Sequence, residues 1–268
     1  MKILTLLCLL VAVANSVSAA ETPQPNIVYL LVDDLGWSDC GFMGCEDIRT
    51  PPIDALAGQG AILKSFYVQP VCSPTRASLM TGRYATHTGV YTIVRPNAAW
   101  GLPLNERTPP QALQDTGYAT AICGKWHLGE FQPDYTPTRR GFDQQYGHMF
   151  GAIDYFTHQR DGKNDWYRND EPAPEDGYSK HLIAKEACRV IRDKPNDKPL
   201  FLYVPFLKRQ RRSESRQGHC KCTAACRKGH DLRRWPARSP HGPVTFPPVW
   251  RSMSLCMASI GIPHCSSW

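Results

Sequence analysis

Cys72 and Arg76 stand at the start of a predicted helix, an arrangement that suits the binding of an oxyanion. Ser73 is a good N-cap residue and Pro74 fits the first helical position, so a helix is expected to continue through residues 77–80. Free backbone N–H groups and the helix dipole then favour an anion beside Cys72. Arg76, at i+4, can project to the same side as a fixed positive charge. The alternative for such a cysteine is half of a disulfide or a buried thiol.

Two further charged motifs follow predicted strands. Asp33 and Asp34 form a pair of carboxylates that suits a hard divalent cation, although such a pair more often caps a turn or a helix. Lys125 and His127 are two residues apart, so that in an extended segment both side chains point to one side. Taken alone, each is more often a solvated or hydrogen-bonded side chain. Ligands gather beyond the carboxyl ends of parallel strands, so we expect these two motifs and Cys72 to meet at one rim of a sheet.

The elements that must position these motifs alternate between strands and helices along the chain. Alternation of this kind predicts an α/β fold, with a mostly parallel sheet and helices on both faces. The first strand is a continuous apolar and β-branched run, which is typical of a buried parallel strand. The predicted strands are 26–32, 61–68, 118–123 and 199–204, and the predicted helices are 50–60, the helix that starts near Cys72, 110–117 and 178–192.

Residues 1–19 have the pattern of a secretory signal peptide. An apolar run at 3–14 follows a lysine, and small residues up to Ala20 offer a cleavage site. The run is too short to span a bilayer, and no later stretch approaches about 20 apolar residues, so no membrane segment is expected after cleavage. The mature chain is therefore expected to be exported, to the periplasm, the lysosome or the extracellular space according to the organism.

A sharp change of composition divides the 268-residue chain near residue 207. Residues 207–268 hold twelve Lys/Arg and two acidic residues, whereas the rest of the chain holds 19 basic and 22 acidic residues. The tail also holds five cysteines and shows no sustained helical or strand period. We therefore expect an incomplete catalytic domain at 20–206, followed by a basic, cysteine-rich and disordered tail at 207–268.

The tail could carry either of two binding functions. A Cys/His cluster could bind zinc, but its spacing matches no common finger and export argues against it. The Arg-rich run could bind nucleic acid or an acidic polysaccharide. A solvated tail is the more common outcome for such a composition, so no nucleic-acid partner is expected. The Cys/His cluster comprises His219, Cys220, Cys222, Cys226 and His230.

The stretch Cys-Ser-Pro-Thr-Arg at 72–76, continued as Ala-Ser-Leu-Met-Thr-Gly-Arg at 77–83, resembles the signature of the type I, formylglycine-dependent sulfatases. In that family a dedicated formylglycine-generating enzyme oxidises the motif cysteine to Cα-formylglycine. The resemblance covers about residues 25–206 and points to the arylsulfatase B-like branch, the N-acetylgalactosamine-4-sulfatases. Supporting stretches are found at 33–37, 48–51, 67–70, 137–143 and 199–203.

The resemblance implies a catalytic role for four side chains. Cys72 would be the modified residue, and one hydroxyl of its aldehyde hydrate would attack sulfur as the alcohol leaves. The second hydroxyl would then collapse the intermediate, which releases sulfate and restores the aldehyde. Lys125 resembles the lysine that binds the sulfate, and His127 resembles the histidine that contacts the formylglycine hydroxyl. Arg76 and Lys125 would offset charge on the transferring group.

The resemblance also implies a metal and a fold. Asp33 and Asp34 resemble the first two metal ligands of the family, and the modified Cys72 would face the same ion. Calcium is the usual ion, with magnesium as the alternative. The fold implied is an alkaline-phosphatase-like αβα sandwich, of which the chain would supply the N-terminal part only.

The sequence departs from the family pattern after Phe206. The family continues there with a loop that carries a His-x-Pro element, and later with an Asp-Asn metal pair and another lysine. In this chain Leu207 to Arg212 is a basic run instead.

Two classes of function stay open. The first is an exported sulfatase that acts on a sulfated small molecule or glycan. The second is an inactive fragment that binds a metal or a sulfated glycan weakly. The match at 72–83 disfavours a phosphatase or phosphonate hydrolase.

Overall fold

Continuous apolar runs form the centre of the sheet, as the sequence predicts for buried parallel strands. The computed structural model describes residues 24–36 and 39–207, together with the backbone of a strand at 254–259. Strand β1 (Ile27–Val32) pairs in parallel with β8 (Leu200–Phe206), with Ile27 opposite Phe201. Strand β2 (Ala119–Lys125) pairs in parallel with the other edge of β8. The predicted strands at 26–32, 118–123 and 199–204 are therefore confirmed.

In the described part of the chain the sheet has seven strands, in the order β7-β6-β3-β2-β8-β1-β9. The pairs from β3 through to β9 are parallel, and β6 and β7 add an antiparallel edge. A separate hairpin is formed by β4 and β5. The remaining strands are β3 (Gln144–His148), β4 (Gln159–Arg160), β5 (Lys163–Asn164), β6 (Tyr167–Arg168), β7 (Glu171–Pro172) and β9 (Ser254–Ser259).

Helices cover both faces of this sheet, which confirms the predicted α/β class. One apolar core joins Ala77 and Met80 to Tyr203, while a second joins Ile183 and Val190 to alternate residues of the same strands. Successive side chains of β8 point to opposite faces of the sheet, so alternate residues of this strand belong to two different cores. None of the helices in the described ranges has the length and apolar character that a bilayer crossing demands. The helices are α1 (Pro51–Gln59), α2 (Cys72–Thr81), α3 (Pro109–Gln114) and α4 (Ser179–Arg192), and short 3-10 turns occur at Gly41–Met43, Ala85–His87, Pro133–Tyr135 and Pro137–Arg140.

Local chemistry explains where these helices begin and end. Helix α3 starts with a capping box, in which the Thr108 side chain accepts from the Gln111 N–H and the Gln111 side chain accepts from the Thr108 N–H. Helix α2 ends at Thr81 and is capped by Gly82, whose left-handed φ of 67° favours glycine. The predicted helix bounds are confirmed to within about three residues.

The strand predicted at 61–68 is wrong. These residues form turns and irregular structure, and Leu63 and Tyr67 are 67% and 87% exposed. A short apolar run becomes a strand only where a neighbour supplies both a ladder and a face to bury. No such neighbour lies beside this segment in the described part of the chain, so α2 is entered from a loop.

Strand β3 was not predicted, because Gln-Gln-Tyr-Gly-His has neither alternation nor an apolar run. It forms because β2 and β6 flank it, and four of its five residues are buried between the packed layers. Within β3, His148 lies opposite Lys125 of β2. Tertiary pairing, and not local propensity, makes this segment a strand.

The expectation of a tail without regular structure is wrong for six residues. Ser254–Ser259 pairs in parallel with β1, with Ile27 opposite Ser254. The outer edge of β1 presents unpaired N–H and C=O groups, which an added strand satisfies. Residues 1–23, which include the predicted signal peptide, residues 37–38, and residues 208–253 and 260–268 of the tail, with its Cys/His cluster, lie outside the described residues. The domain bounds 20–206 and 207–268 stay predictions.

Candidate active site

Helix α2 presents its first turn to the rim where β1 and β2 end. The N-cap is Val71 in an extended conformation, so the helix begins at Cys72 itself and the prediction of Ser73 as N-cap is wrong. The Ser73 hydroxyl instead accepts from the Val94 N–H at 3.1 Å, which ties the helix to a neighbouring loop. Cys72 is a free, partly buried thiol within the first turn. Pro74 has no N–H and the Thr75 N–H donates to the Val71 carbonyl at 3.1 Å, so the N–H groups of Cys72 and Ser73 are the donors that this turn offers to an anion.

Three charged side chains from distant parts of the sequence meet beside this turn. Arg76 Nη2 lies 3.4 Å from Asp33 Oδ2, and Lys125 Nζ forms an ion pair with the same carboxylate oxygen. Their side chains are only 1%, 6% and 3% exposed for Arg76, Asp33 and Lys125 respectively. Burial alone raises the pKa of Asp33, but the Arg76 and Lys125 charges outweigh it and hold that pKa below its usual value.

This cluster carries more positive than negative charge. In the described ranges Arg76 and Lys125 form ion pairs with one carboxylate only, that of Asp33. Burial and the Arg76 charge lower the pKa of Lys125, whereas Asp33 and Cys72 act in the opposite direction. An excess positive charge in a buried position next to a helix N-terminus favours a bound anion.

Tyr203 on β8 orients Arg76, and sequence analysis missed it. Arg76 Nη1 donates to the Tyr203 hydroxyl at 3.1 Å and to the Lys125 carbonyl at 2.8 Å. Burial raises the pKa of Tyr203 to about 12, so the hydroxyl stays neutral. The only signal in the sequence was one hydroxyl in an otherwise apolar strand. The guanidinium is thereby held by three partners in a fixed plane.

His127 lies next to the cluster, but not through the extended geometry that its spacing suggested. Strand β2 ends at Lys125, and His127 has a left-handed φ of 60°. Its Nε2 lies 2.9 Å from the Val94 carbonyl, which can only accept, so Nε2 carries the proton. Nδ1 is then a buried lone pair without a hydrogen-bond partner in the described part of the chain.

The imidazole of His127 is held neutral. Burial lowers its pKa well below the usual value, and the Lys125 and Arg76 charges lower it further. A neutral ring with a bare Nδ1 is a hydrogen-bond acceptor. Nδ1 can therefore accept a hydrogen bond from the O–H of a group that is bound beside α2.

The described residues do not by themselves make a site for a hard divalent cation. Across 24–36 and 39–207, no group of three or more His, Cys, Asp or Glu side chains converges. Asp33 Oδ2 already serves two cations, and Asp34 follows it at a φ of 53°. A calcium ion needs six to eight oxygens, of which these two carboxylates supply a minority.

We therefore expect this chain to bind Ca²⁺ far more weakly than a site with a full set of protein ligands. Calorimetric titration of chelator-treated protein with CaCl₂ is expected to give no tight isotherm, because Asp33 is engaged by Arg76 and Lys125. A parallel titration of the Asp34→Ala variant is the control, and it is expected to look the same. A tight isotherm that disappears in Asp33→Ala or Asp34→Ala would contradict this.

Glu130, three residues after His127, makes the stability of this region depend on pH. Burial raises the pKa of Glu130 to about 7, although the Asn97 N–H, 2.9 Å from Oε1, acts in the opposite direction. The folded chain thus holds this proton more strongly than the unfolded chain does. The stabilisation is complete below the unfolded pKa and is lost as the pH rises through about 7.

Glu130→Gln is expected to remove this pH dependence, because glutamine keeps the acceptor oxygen for Asn97 but does not titrate. Urea unfolding midpoints at about pH 4.5 and pH 8 measure the effect for both proteins. The wild-type midpoint should fall relative to that of the variant as the pH rises. Parallel pH profiles for the two proteins would refute the assignment.

The chain is similar to known proteins in its family pattern, in its sequence and in its structure. The family model described as Sulfatase matches residues 25–209. Arylsulfatase J of Mus musculus is 41% identical over 196 residues, which is 70% of this chain and 33% of that protein. N-acetylgalactosamine-6-sulfatase of Canis lupus familiaris is 42% identical over 149 residues, which is 52% of this chain and 28% of that protein. The chain thus spans about a third of the length of the curated relatives that it matches.

A solved structure shares the arrangement of the elements. It is the crystal structure of Ps i-CgsB in complex with k-i-k-neocarrahexaose, which is 31% identical in sequence. The TM-score is 0.62, and the match covers 70% of this chain and 46% of that one. The match therefore includes most of the described residues.

Proposed function

Because this chain belongs to the sulfatase family, we propose that it hydrolyses sulfate esters through a formylglycine made from Cys72. Its fold is the alkaline-phosphatase-like α/β fold of the sulfatases that it matches in structure. The confirmed family agrees with the resemblance drawn from residues 72–83. The activity is a proposal because the matched relatives are about three times as long as the matched segment.

One observation carries the proposal. Arg76 and Lys125 are buried against a single carboxylate, at the N-terminal turn of the helix that begins with Cys72. The negative charge of a sulfate ester is delocalised over the sulfate oxygens, and a buried positive site stabilises it. More negative charge develops on the oxygens of the ester in the transition state, where this stabilisation is greater. This arrangement supports the proposal, because the proposed nucleophile would lie beside side chains that can bind an anion.

The side chains of this chain have separate tasks in the proposed reaction. As a hydrated formylglycine, residue 72 supplies one hydroxyl that attacks sulfur, and the S–O bond to the alcohol of the ester breaks as that alcohol leaves. The second hydroxyl then loses its proton, and the C–O bond to the sulfate breaks, which releases sulfate and restores the aldehyde. Arg76, held in plane by Tyr203, and Lys125 bind the sulfate oxygens. The bare Nδ1 of His127 accepts a hydrogen bond from a hydroxyl at position 72 and orients it.

Sulfatases generally use a divalent metal along with formylglycine. For this chain, calcium facing Asp33, Asp34 and the modified Cys72 remains our proposal, with magnesium as the alternative. Since the described residues do not complete such a site, no step of the reaction is assigned to it.

The substrate class that we propose is a sulfated glycan. The relatives include N-acetylgalactosamine-6-sulfatase, and the matched crystal structure contains a neocarrahexaose. Homologous sulfatases are typically lysosomal or secreted, which supports the export expected from residues 1–19. A formylglycine-generating enzyme is the partner that the Cys72 motif requires.

The test compares the chain produced with and without a formylglycine-generating enzyme. Mass spectrometry of peptides that contain Cys72 measures the conversion. We expect conversion only in the co-production, together with Cys72-dependent hydrolysis of 4-nitrocatechol sulfate, whereas 4-nitrophenyl phosphate stays intact. A cysteine that stays unmodified under co-production overturns the proposal. So does complete conversion without any gain in sulfate-ester hydrolysis, which would favour the binding-only alternative.

A further inference from the structure

The imidazole of His127 rests directly on the backbone of Gly151. A Cβ added at Gly151 would lie 2.4 Å from Cε1 and 2.5 Å from Nε2 of that ring. Real Cβ atoms do not approach other atoms so closely, so only glycine allows the ring to sit where it does. The backbone at position 151 is therefore the surface against which His127 is oriented.

The turn that contains Gly151 is bound to His127 at a second point. The His127 N–H donates to the Met149 carbonyl at 2.9 Å, and the Trp126 N–H donates to the His148 carbonyl at 2.9 Å. These bonds prolong the pairing of β2 with β3 beyond the last strand residues. A movement of the turn at 149–151 thus moves both the backbone and the ring of His127.

Asp165 holds this turn from the other side. Its Oδ1 accepts from the Met149 N–H and its Oδ2 accepts from the Phe150 N–H, both at 2.9 Å. The side chain is completely buried. Two parallel bonds from one carboxylate to consecutive backbone amides fix the orientation of the turn as well as its position.

We propose that Asp165 is a positioning residue for His127, acting through the turn at 149–151. Among the described residues Asp165 forms no hydrogen bond or ion pair with Asp33, Arg76 or Lys125, so its effect passes through the turn. The effect of Asp165 on turnover rests on the proposed sulfate-ester hydrolysis. Its effect on the orientation of the His127 ring does not rest on that function, because it concerns only the hydrogen bonds and packing of the ring.

The test reads the state of the His127 ring directly. In histidine-labelled protein, the ¹⁵N shifts of Nδ1 and Nε2 report the tautomer, and a His127→Gln variant assigns the signals. Wild-type protein should show one neutral tautomer with the proton on Nε2. Asp165→Ala, and to a smaller extent Asp165→Asn, should shift these signals towards exchange-averaged values, because asparagine has one acceptor oxygen for two N–H groups.

A matched control lies three residues after the turn. The Asp154 side chain also accepts two backbone N–H bonds, from Phe156 and Thr157, but among the described residues it has no hydrogen bond to the turn at 149–151. Asp154→Ala should leave the His127 signals unchanged. Gly151→Ala should shift them with Asp165 intact, since the added Cβ must displace the ring.

Turnover separates this inference from the function on which it draws. In the modified protein, Asp165→Asn is expected to lower kcat for 4-nitrocatechol sulfate by about 10- to 10²-fold with little change in KM, the pattern of a misplaced catalytic group. His127 signals that stay unchanged in both Asp165→Ala and Asp165→Asn overturn the positioning role, whatever the turnover and whatever the effect of Gly151→Ala. Shifted signals support it even if the wild-type chain hydrolyses no sulfate ester, a result that would count against the function alone.

Discussion

The Cys72→Ala variant is expected to hydrolyse 4-nitrocatechol sulfate at the background rate. Cys72 lies in the first turn of α2, beside buried Arg76 and Lys125. The proposed reaction uses residue 72 as its single nucleophile, so no other side chain can replace it. Loss of a covalent nucleophile typically lowers kcat by about 10³-fold or more. Initial rates of the modified wild type and the variant, at matched concentration, measure the effect.

A second cysteine gives the control for this loss. Cys188 is a free thiol like Cys72, but it is exposed, and its helix α4 packs against the opposite face of the sheet from α2. Cys188→Ala should keep the wild-type rate and the wild-type melting temperature. A Cys72→Ala protein that retains turnover would show that the hydrolysis arises elsewhere, in this chain or in a contaminant.

The Asp33→Ala variant is expected to lose about 3–5 kcal/mol of folding free energy, the usual cost of removing one partner from a buried ion pair. Asp33 is the shared partner of Arg76 and Lys125, and all three side chains are almost fully buried. Its removal leaves two cations in a site of low polarity without the counter-charge that both use. Urea unfolding at neutral pH measures the loss.

Two comparisons show whether the unpaired charge is the cause. Asp115 pairs with Arg107 at the surface, with side chains that are 68% and 65% exposed, so Asp115→Ala should cost no more than about 1 kcal/mol. Adding Lys125→Met to Asp33→Ala should recover part of the lost stability, because it removes one of the two stranded cations. A double variant less stable than Asp33→Ala would assign the cost to packing instead.

Part of the site was predictable because it depends on residue type and on local order. The helix at Cys72 follows from helix-forming residues between a proline and a glycine, and the strands that end at Asp33 and Lys125 follow from apolar runs. Parallel strands end at one rim, so the meeting of these residues with Arg76 was also predictable. The family signature at 72–83 added the chemistry.

Other parts of the prediction failed where a short-range pattern competed with long-range pairing. The apolar segment at 61–68 has strand-like residues but no partner in the described ranges, whereas polar β3 is a strand because β2 and β6 flank it. Ser73 has the side chain of an N-cap but turns to the Val94 N–H. In each case a contact from a distant part of the chain decided the outcome.

By itself, the sequence determined which groups are present: a cysteine and an arginine one turn apart, two pairs of charged residues after strands, and apolar periods that demand a layered fold. Only the tertiary structure decided the state of those groups. The tautomer of His127 depends on the Val94 carbonyl, and the plane of Arg76 depends on Tyr203. Those partners are 33 and 127 residues away along the chain, so no local pattern could reveal them. Protonation and orientation arise from burial and hydrogen bonding, which exist only after the chain has folded.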